Sequence, residues 1–208
     1  WLLEAVVAIV DTLAIEKPIF LGCSVGGQLA LDLAAHHHDK FKAFLSLNGT
    51  LDNAAADDPF MIAWNDLCRD NRISTEAYST GNFNATSPLA PEAYRRELYW
   101  LYRSNFPGVY AGDNDYFMVG HDLKIDGHLM RPDKTPVYAL AGEYDPVSWM
   151  EDHGGPAVAR EFPGVIYREL KGIGHFAPTD TPIEFRNAML PIFDEVLERV
   201  RSGRTATV

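Results

Sequence analysis

Ser24 stands between Cys23 and Val25 in the run Gly22-Cys23-Ser24-Val25-Gly26-Gly27, Asp145 follows Gly142-Glu143-Tyr144, and His175 follows Gly172-Ile173-Gly174. A serine hydroxyl becomes a useful nucleophile near neutral pH only when an adjacent base takes its proton, and an imidazole serves best when a carboxylate orients it. All three residue types are present, in the order serine, acid, histidine. Such a serine belongs in a sharp strand-to-helix turn with small neighbours, its hydroxyl exposed above the strand and a helix N-terminus beneath it. Taken singly, Asp145-Pro146 is a common turn pair and a loop histidine is commonly a solvated residue. Three such residues at the ends of separate strand candidates carry the reading. Glu143 is the competing acid, but Asp145, past the end of its strand, reaches further toward a histidine loop.

The elements needed to place these residues are legible. Pro18-Ile19-Phe20-Leu21 is an apolar run leading into the serine, and Gly27-Gln28-Leu29-Ala30-Leu31-Asp32-Leu33-Ala34-Ala35 continues as a helix. Pro136 to Gly142 and Val165 to Leu170 are strand candidates that lead to Asp145 and His175. Leu2, Leu3, Val6, Ile9, Val10 and Leu13 recur at helical spacing and predict a helix ahead of the first strand. After a strand at Phe41 to Leu47 the strand-helix alternation lapses until Pro136. Within that stretch the spacing predicts helices over Pro59 to Asn71 and Pro91 to Ser104, with turns at Asn105 to Gly108 and Ala111 to Asp115. Ile183 to Val200 reads as an amphipathic closing helix, followed by a frayed tail from Arg201 to Val208. The expected organisation is a core part over residues 1–51, an inserted helical lid over 52–134 and a second core part over 135–208.

With these motifs the chain resembles the α/β-hydrolase superfamily, in its branch of small carboxylesterases and carbon–carbon bond hydrolases. The matching residues are Gly22-Cys23-Ser24-Val25-Gly26-Gly27, Gly142-Glu143-Tyr144-Asp145 and Gly172-Ile173-Gly174-His175-Phe176. The resemblance implies a mostly parallel sheet flanked by helices, with a helical lid inserted after the sixth strand of the family pattern. It implies Ser24 as nucleophile, His175 as base and then acid, Asp145 as its orienter and the backbone N–H of Val25 as an oxyanion donor. In that pattern further strands and a helix precede the helix that feeds the serine strand. The sequence here starts in that feeding helix, so the amino-terminal third is expected to be missing, and with it the second oxyanion donor. Lids of this kind choose the substrate in the family. The lid segment is aromatic-rich, and Cys23, Trp100 and Tyr102 are the expected substrate contacts.

At 208 residues and 47% hydrophobic composition the chain fits one α/β unit with an insertion. Its net charge of −11 disfavours nucleic acid and anionic membrane surfaces as partners. No apolar stretch reaches the ~20 residues needed to span a bilayer. Cys23 and Cys68 are the only cysteines, so no disulfide framework is suggested and a reducing, cytoplasmic setting is the default. His36, His37 and His38 are read as a surface run, since adjacent residues on a helix point in different directions and cannot share a metal. His121, His128 and His153 lack ligand spacing, and Ala111 to Asp115 lacks the distal glutamate of a calcium loop. The expected function is a serine hydrolase, a carboxylesterase acting on small or medium apolar esters, with a small-molecule substrate and no cofactor. Carbon–carbon bond hydrolysis, ligand reception and cofactor-free lyase chemistry on the same fold stay open, as does homo-oligomerisation.

Overall fold

The structure, a computed structural model, describes residues 2–52, 59, 62–63, 66–67, 74–146, 148 and 151–203. Its centre is a four-stranded parallel sheet of β1 (Ile19–Cys23), β2 (Ala43–Leu47), β3 (Val137–Gly142) and β4 (Ile166–Leu170), in that spatial order. Every residue of β2 and β3 is buried, as suits strands covered on both faces, whereas β1 and β4 are partly exposed. The register pairs Leu21 with Leu45, Cys23 with Leu47 and Leu47 with Leu140, so β1 and β2 finish level while β3 runs on past them to Gly142. Side chains alternate between the faces, as a pleat requires. Phe44, Val137 and Ala139 join one apolar cluster, while Ala43, Leu45, Leu47, Tyr138 and Leu140 join another. Full burial of one such large side chain contributes roughly 1.5–3 kcal/mol.

Helices α1 (Leu2–Thr12) and α2 (Val25–His36) pack on the first face. In α1 the buried stripe is Val7 and Val10; Ile9 and Leu13, expected on it, are 56% and 65% exposed. Helix α2 is buried along most of its length, from Gly27 and Gln28 through Ala35. The histidines at its end diverge, with His36 beside Asp126 at 3.3 Å and His37 beside Glu4 at 3.4 Å. His36 is exposed and its two successors are half-buried, so only part of the run is surface.

Between β2 and β3 the described chain forms α3 (Ser74–Asn84), α4 (Glu92–Arg103), α5 (Pro107–Asp115), a π-helical turn (Tyr116–Gly120) and α6 (Leu123–Asp126). The helix expected over Pro59 to Asn71 lies largely outside the described residues, as does Cys68. The turn expected at Ala111 to Asp115 is instead the end of α5. Pro107 supplies a favourable first helical residue, and Tyr110, only 1% exposed, anchors the helix. After β3 come α7 (Gly155–Glu161), β4, α8 (Ala177–Asp180) and α9 (Pro182–Ser202), whose Met189, Ile192 and Val196 cover the second face. Arg201 and Ser202 belong to α9, which ends at Gly203 in the left-handed region; residues 204–208 lie outside the described residues.

A buried polar cluster fastens the insertion to α2. Asp32 accepts from the Tyr116 hydroxyl and stands 2.9 Å from Nδ1 of His121, while Nε2 of that ring is 2.8 Å from the Thr50 carbonyl. Because a carbonyl oxygen only accepts, Nε2 carries a proton. Gln28 donates to the Thr50 hydroxyl at 2.8 Å, so the helix after Ser24, the end of β2 and the return of the insertion share one network.

The turn between β1 and α2 is a close backbone approach. A Cβ on Gly22 would lie 1.9 Å from the Gly26 carbonyl oxygen, whereas a Cβ on Gly26 would meet nothing within 4 Å. Gly22→Ala is therefore expected to lower the urea unfolding midpoint by an amount equivalent to about 2–4 kcal/mol through backbone displacement. Gly26→Ala, inside a helix, should stay within ~1 kcal/mol of the parent or exceed it. Equal midpoints for the two variants would contradict this account of the turn.

Candidate active site

Ser24 occupies the turn itself, with φ 59° and ψ −120°, a conformation that costs a residue bearing a side chain and persists only where the surroundings enforce it. The enforcement is visible. Its N–H donates to the Leu47 carbonyl at 2.9 Å, and its own carbonyl accepts from Gly27 and Gln28 at 2.7 and 3.0 Å as α2 begins. A Cβ on Gly27 would lie 2.6 Å from the Leu47 carbonyl oxygen, so a residue without a side chain is what lets α2 press against the end of β2. The N–H groups of the first residues of α2, Val25 among them, have no partner one turn back in the helix and carry its positive end.

His175 reaches the serine from the loop after β4, with Nε2 at 2.7 Å from Ser24 Oγ. Gly172, at φ +77°, turns that loop. A Cβ on Gly174 would lie 2.3 Å from Ser87 N, so the loop lies directly against the insertion. The His175 N–H donates to the Ala85 carbonyl at 3.0 Å, and its carbonyl accepts from Asn48 Nδ2 at 2.9 Å and from the Cys23 thiol at 3.4 Å. The backbone of the histidine is thus held by the insertion, by the residue after β2 and by the residue before the serine.

Asp145 follows β3, fully buried, with Oδ1 3.0 Å from His175 Nδ1. The other carboxylate oxygen accepts from the buried Ser148 hydroxyl, which is also 3.0 Å from Asn48 Oδ1. Glu143, the competing acid, is engaged elsewhere: it accepts from Gly172 N–H at 2.9 Å and lies 3.6 Å from Lys171 Nζ. The structure thus brings Ser24, His175 and Asp145 into one chain of contacts and leaves Glu143 out of it.

Burial disfavours the charged imidazolium of His175, but the charge of Asp145, its hydrogen bond and the charge of Asp180 outweigh this and hold the ring's pKa above the ordinary histidine value. Asp180 is a second fully buried carboxylate on α8, accepting from Ser87 N–H at 2.7 Å and from the Thr181 hydroxyl at 3.0 Å. The Cys23 thiol is pushed up to about 12 by burial first and by Asp145 and Asp180 second, so it stays protonated and unreactive beside the serine.

Above Ser24 opens a cavity of about 1060 Å³, lined on one side by Cys23, Ser24, Val25 and His175 and on the other by residues of the insertion. Phe176 meets the His175 ring edge-on at 4.7 Å, Tyr102 meets Phe176 at 5.4 Å, and Tyr110 stacks on Tyr102 at 5.8 Å. Of the expected substrate contacts, Cys23 and Tyr102 line this cavity; Trp100 does not and is 64% exposed on α4. Among the described residues no group of three or more His, Cys, Asp or Glu is placed to hold a metal ion.

Sequence reasoning passed over Asn48, Ser148 and Asp180. Asn48 is at φ 55°, donates to His175 and Gly174 carbonyls, and accepts from Gly142 N–H at 2.8 Å, so it ties the acid-bearing strand to the histidine loop. An Asn-Gly pair straight after a strand was the available signal, since asparagine tolerates the left-handed region. Asp180 lies on the short helix that leaves the histidine loop, but nothing in its spacing shows that it is buried.

The comparisons agree with this architecture. The family model described as alpha/beta hydrolase fold matches residues 1–182. A crystal structure of the enol-lactonase from Burkholderia xenovorans LB400 superposes with TM-score 0.73 at 18% identity, covering 94% of this chain and 71% of that one. A carboxylesterase structure from the thaumarchaeon Nitrososphaera gargenis gives TM-score 0.75 at 18% identity, covering 95% and 72%. The bromoperoxidase from Bacillus anthracis gives 0.74 at 14% identity, covering 92% and 72%. No curated protein matches the chain. The chain belongs to the alpha/beta hydrolase fold family and is a hydrolase of that family.

Proposed function

We propose that this protein is a serine carboxylesterase acting on small or medium apolar esters. The observation that carries the reading is the 2.7 Å approach of His175 Nε2 to the hydroxyl of a serine held in a strained turn at a helix N-terminus, open to a largely apolar cavity. In this reading Ser24 Oγ attacks the ester carbonyl while His175 Nε2 takes its proton. Asp145 stabilises the resulting imidazolium, and the Val25 N–H donates to the developing oxyanion. His175 returns the proton to the departing alcohol, leaving an acyl-serine. It then activates the water that releases the acid. The segment between β2 and β3 acts as a lid whose aromatic side chains, Tyr102 among them, shape the acyl pocket. A carboxylesterase structure among the fold's neighbours fits this reading. A small-molecule substrate, no cofactor and a reducing, cytoplasmic setting are proposed with it, the last on the low cysteine content.

Intact-mass detection of fluorophosphonate labelling tests the nucleophile. One adduct is expected on the chain and none on Ser24→Ala; an adduct retained in the variant would refute the assignment. Product analysis separates the chemistry: acid plus alcohol from esters supports the proposal, while cleavage restricted to 1,3-diketones would replace it with carbon–carbon bond hydrolysis.

The base must be neutral to act, and its pKa is held above the ordinary histidine value, so kcat/KM for esters is expected to rise with pH along a single acidic limb whose midpoint lies above that value. Asp145→Asn removes the charge that lifts the ring. It should move the midpoint down and reduce kcat by about 10³- to 10⁴-fold. A limb unmoved by the substitution would remove Asp145 from its role.

A further inference from the structure

Tyr110, Asp113, Asn114 and Phe117 line the cavity together. Their spacing places them along one face running from α5 into the π-helical turn, so the aromatic wall and one carboxylate are presented by the same stretch of chain. Glu76 also lines the cavity, but its carboxylate is engaged by Arg103 at 2.9 Å. Asp113 is different. Among the described residues its side chain makes no hydrogen bond or ion pair. Nor does any described lysine or arginine line the cavity.

Asp113 shares the cavity with Tyr102, Tyr110, Phe117 and Phe176. Its charge is felt by the phenols of both Tyr102 and Tyr110, whose rings stack at 5.8 Å. Asp113 is an exposed residue, and partial desolvation still pushes its carboxyl above the ordinary aspartate value, a shift that a cation brought alongside would reverse. A carboxylate that no described side chain partners attracts an ammonium group through its charge, and the half-buried Tyr102 and Phe117 that line the same cavity add the attraction of aromatic rings for a cation. The same wall repels a carboxylate ligand, and the net charge of −11 acts in the same direction.

We infer that Asp113 makes this pocket selective for esters that carry an ammonium group away from the reacting carbonyl, over neutral esters of the same shape and against anionic ones. The inference rests on the ester-hydrolase reading and extends it, from an apolar substrate to an apolar substrate with a positive end.

The test is equilibrium binding by calorimetry in the Ser24→Ala background, where chemistry cannot deplete the ligand. The probes are butyrylcholine, its neutral carbon isostere 3,3-dimethylbutyl butyrate, and monobutyl succinate. Butyrylcholine is expected to bind about tenfold more tightly than the isostere, and monobutyl succinate most weakly. Adding Asp113→Asn should bring the ratio of the first two to about one, and Asp113→Glu should retain a preference for the cation; matched thermal unfolding shows that each variant is folded. Equal binding of cation and isostere, no binding of either, or a ratio indifferent to Asp113→Asn overturns the inference. Fluorophosphonate labelling of the unsubstituted chain is read separately. Its failure would count against Ser24 as nucleophile, and the binding ratio would still decide the role of Asp113.

Discussion

Everything in the site depends on how closely α2 can approach the carboxyl end of β2. Gly22, Gly27 and Gly49 lie where a Cβ would collide with backbone or with the Ser46 hydroxyl, and the Ser24 N–H is bonded to the Leu47 carbonyl across the same gap. That contact holds Ser24 at a positive φ, aims its hydroxyl away from the sheet and starts α2 beneath it. A protein interior is close-packed, so a side chain at this crossing could be admitted only by moving the strand or the helix. Either movement would take the serine away from His175.

The second constraint is electrostatic. Two fully buried carboxylates, Asp145 and Asp180, lie near one imidazole. Buried carboxylates are tolerated when their oxygens are satisfied, and here the donors are Ser148 for Asp145 and the Ser87 N–H and Thr181 hydroxyl for Asp180. The arrangement favours the charged form of the histidine against the cost of its own burial. The neighbouring thiol of Cys23 is kept protonated by its burial first and by the same two carboxylates second.

The insertion serves the site as a wall and as a brace. It closes the cavity with Tyr102 and Tyr110, and it holds the histidine loop through Ala85, whose carbonyl accepts from His175, and through Ser87, whose hydroxyl donates to the Gly172 carbonyl. At its return, His121 and Tyr116 close on Asp32 of the serine-bearing helix. Wall and site residues therefore share hydrogen bonds.

Much of this was legible in the residues alone. Apolar runs marked β2 and β3, because a strand covered on both faces is apolar along most of its length, while β4 showed the alternation of a strand with one face exposed. The glycines around Ser24 marked the turn, because local sterics leave few other ways to build it. The serine, acid and histidine could be named for the same reason: each follows a strand, and parallel strands end on one edge. The sequence did not show which residues turn inward once the helices of the insertion pack. Trp100 and Tyr102 are near neighbours on α4, yet one is mostly exposed and the other lines the cavity. Local pattern likewise read Ala111 to Asp115 as a turn, whereas packing of Tyr110 made it helix and set Asp113 on the cavity wall. Asn48, Ser148 and Asp180 matter only through partners up to 127 residues away in the chain, as from Asn48 to His175, and such distances are closed by tertiary packing alone.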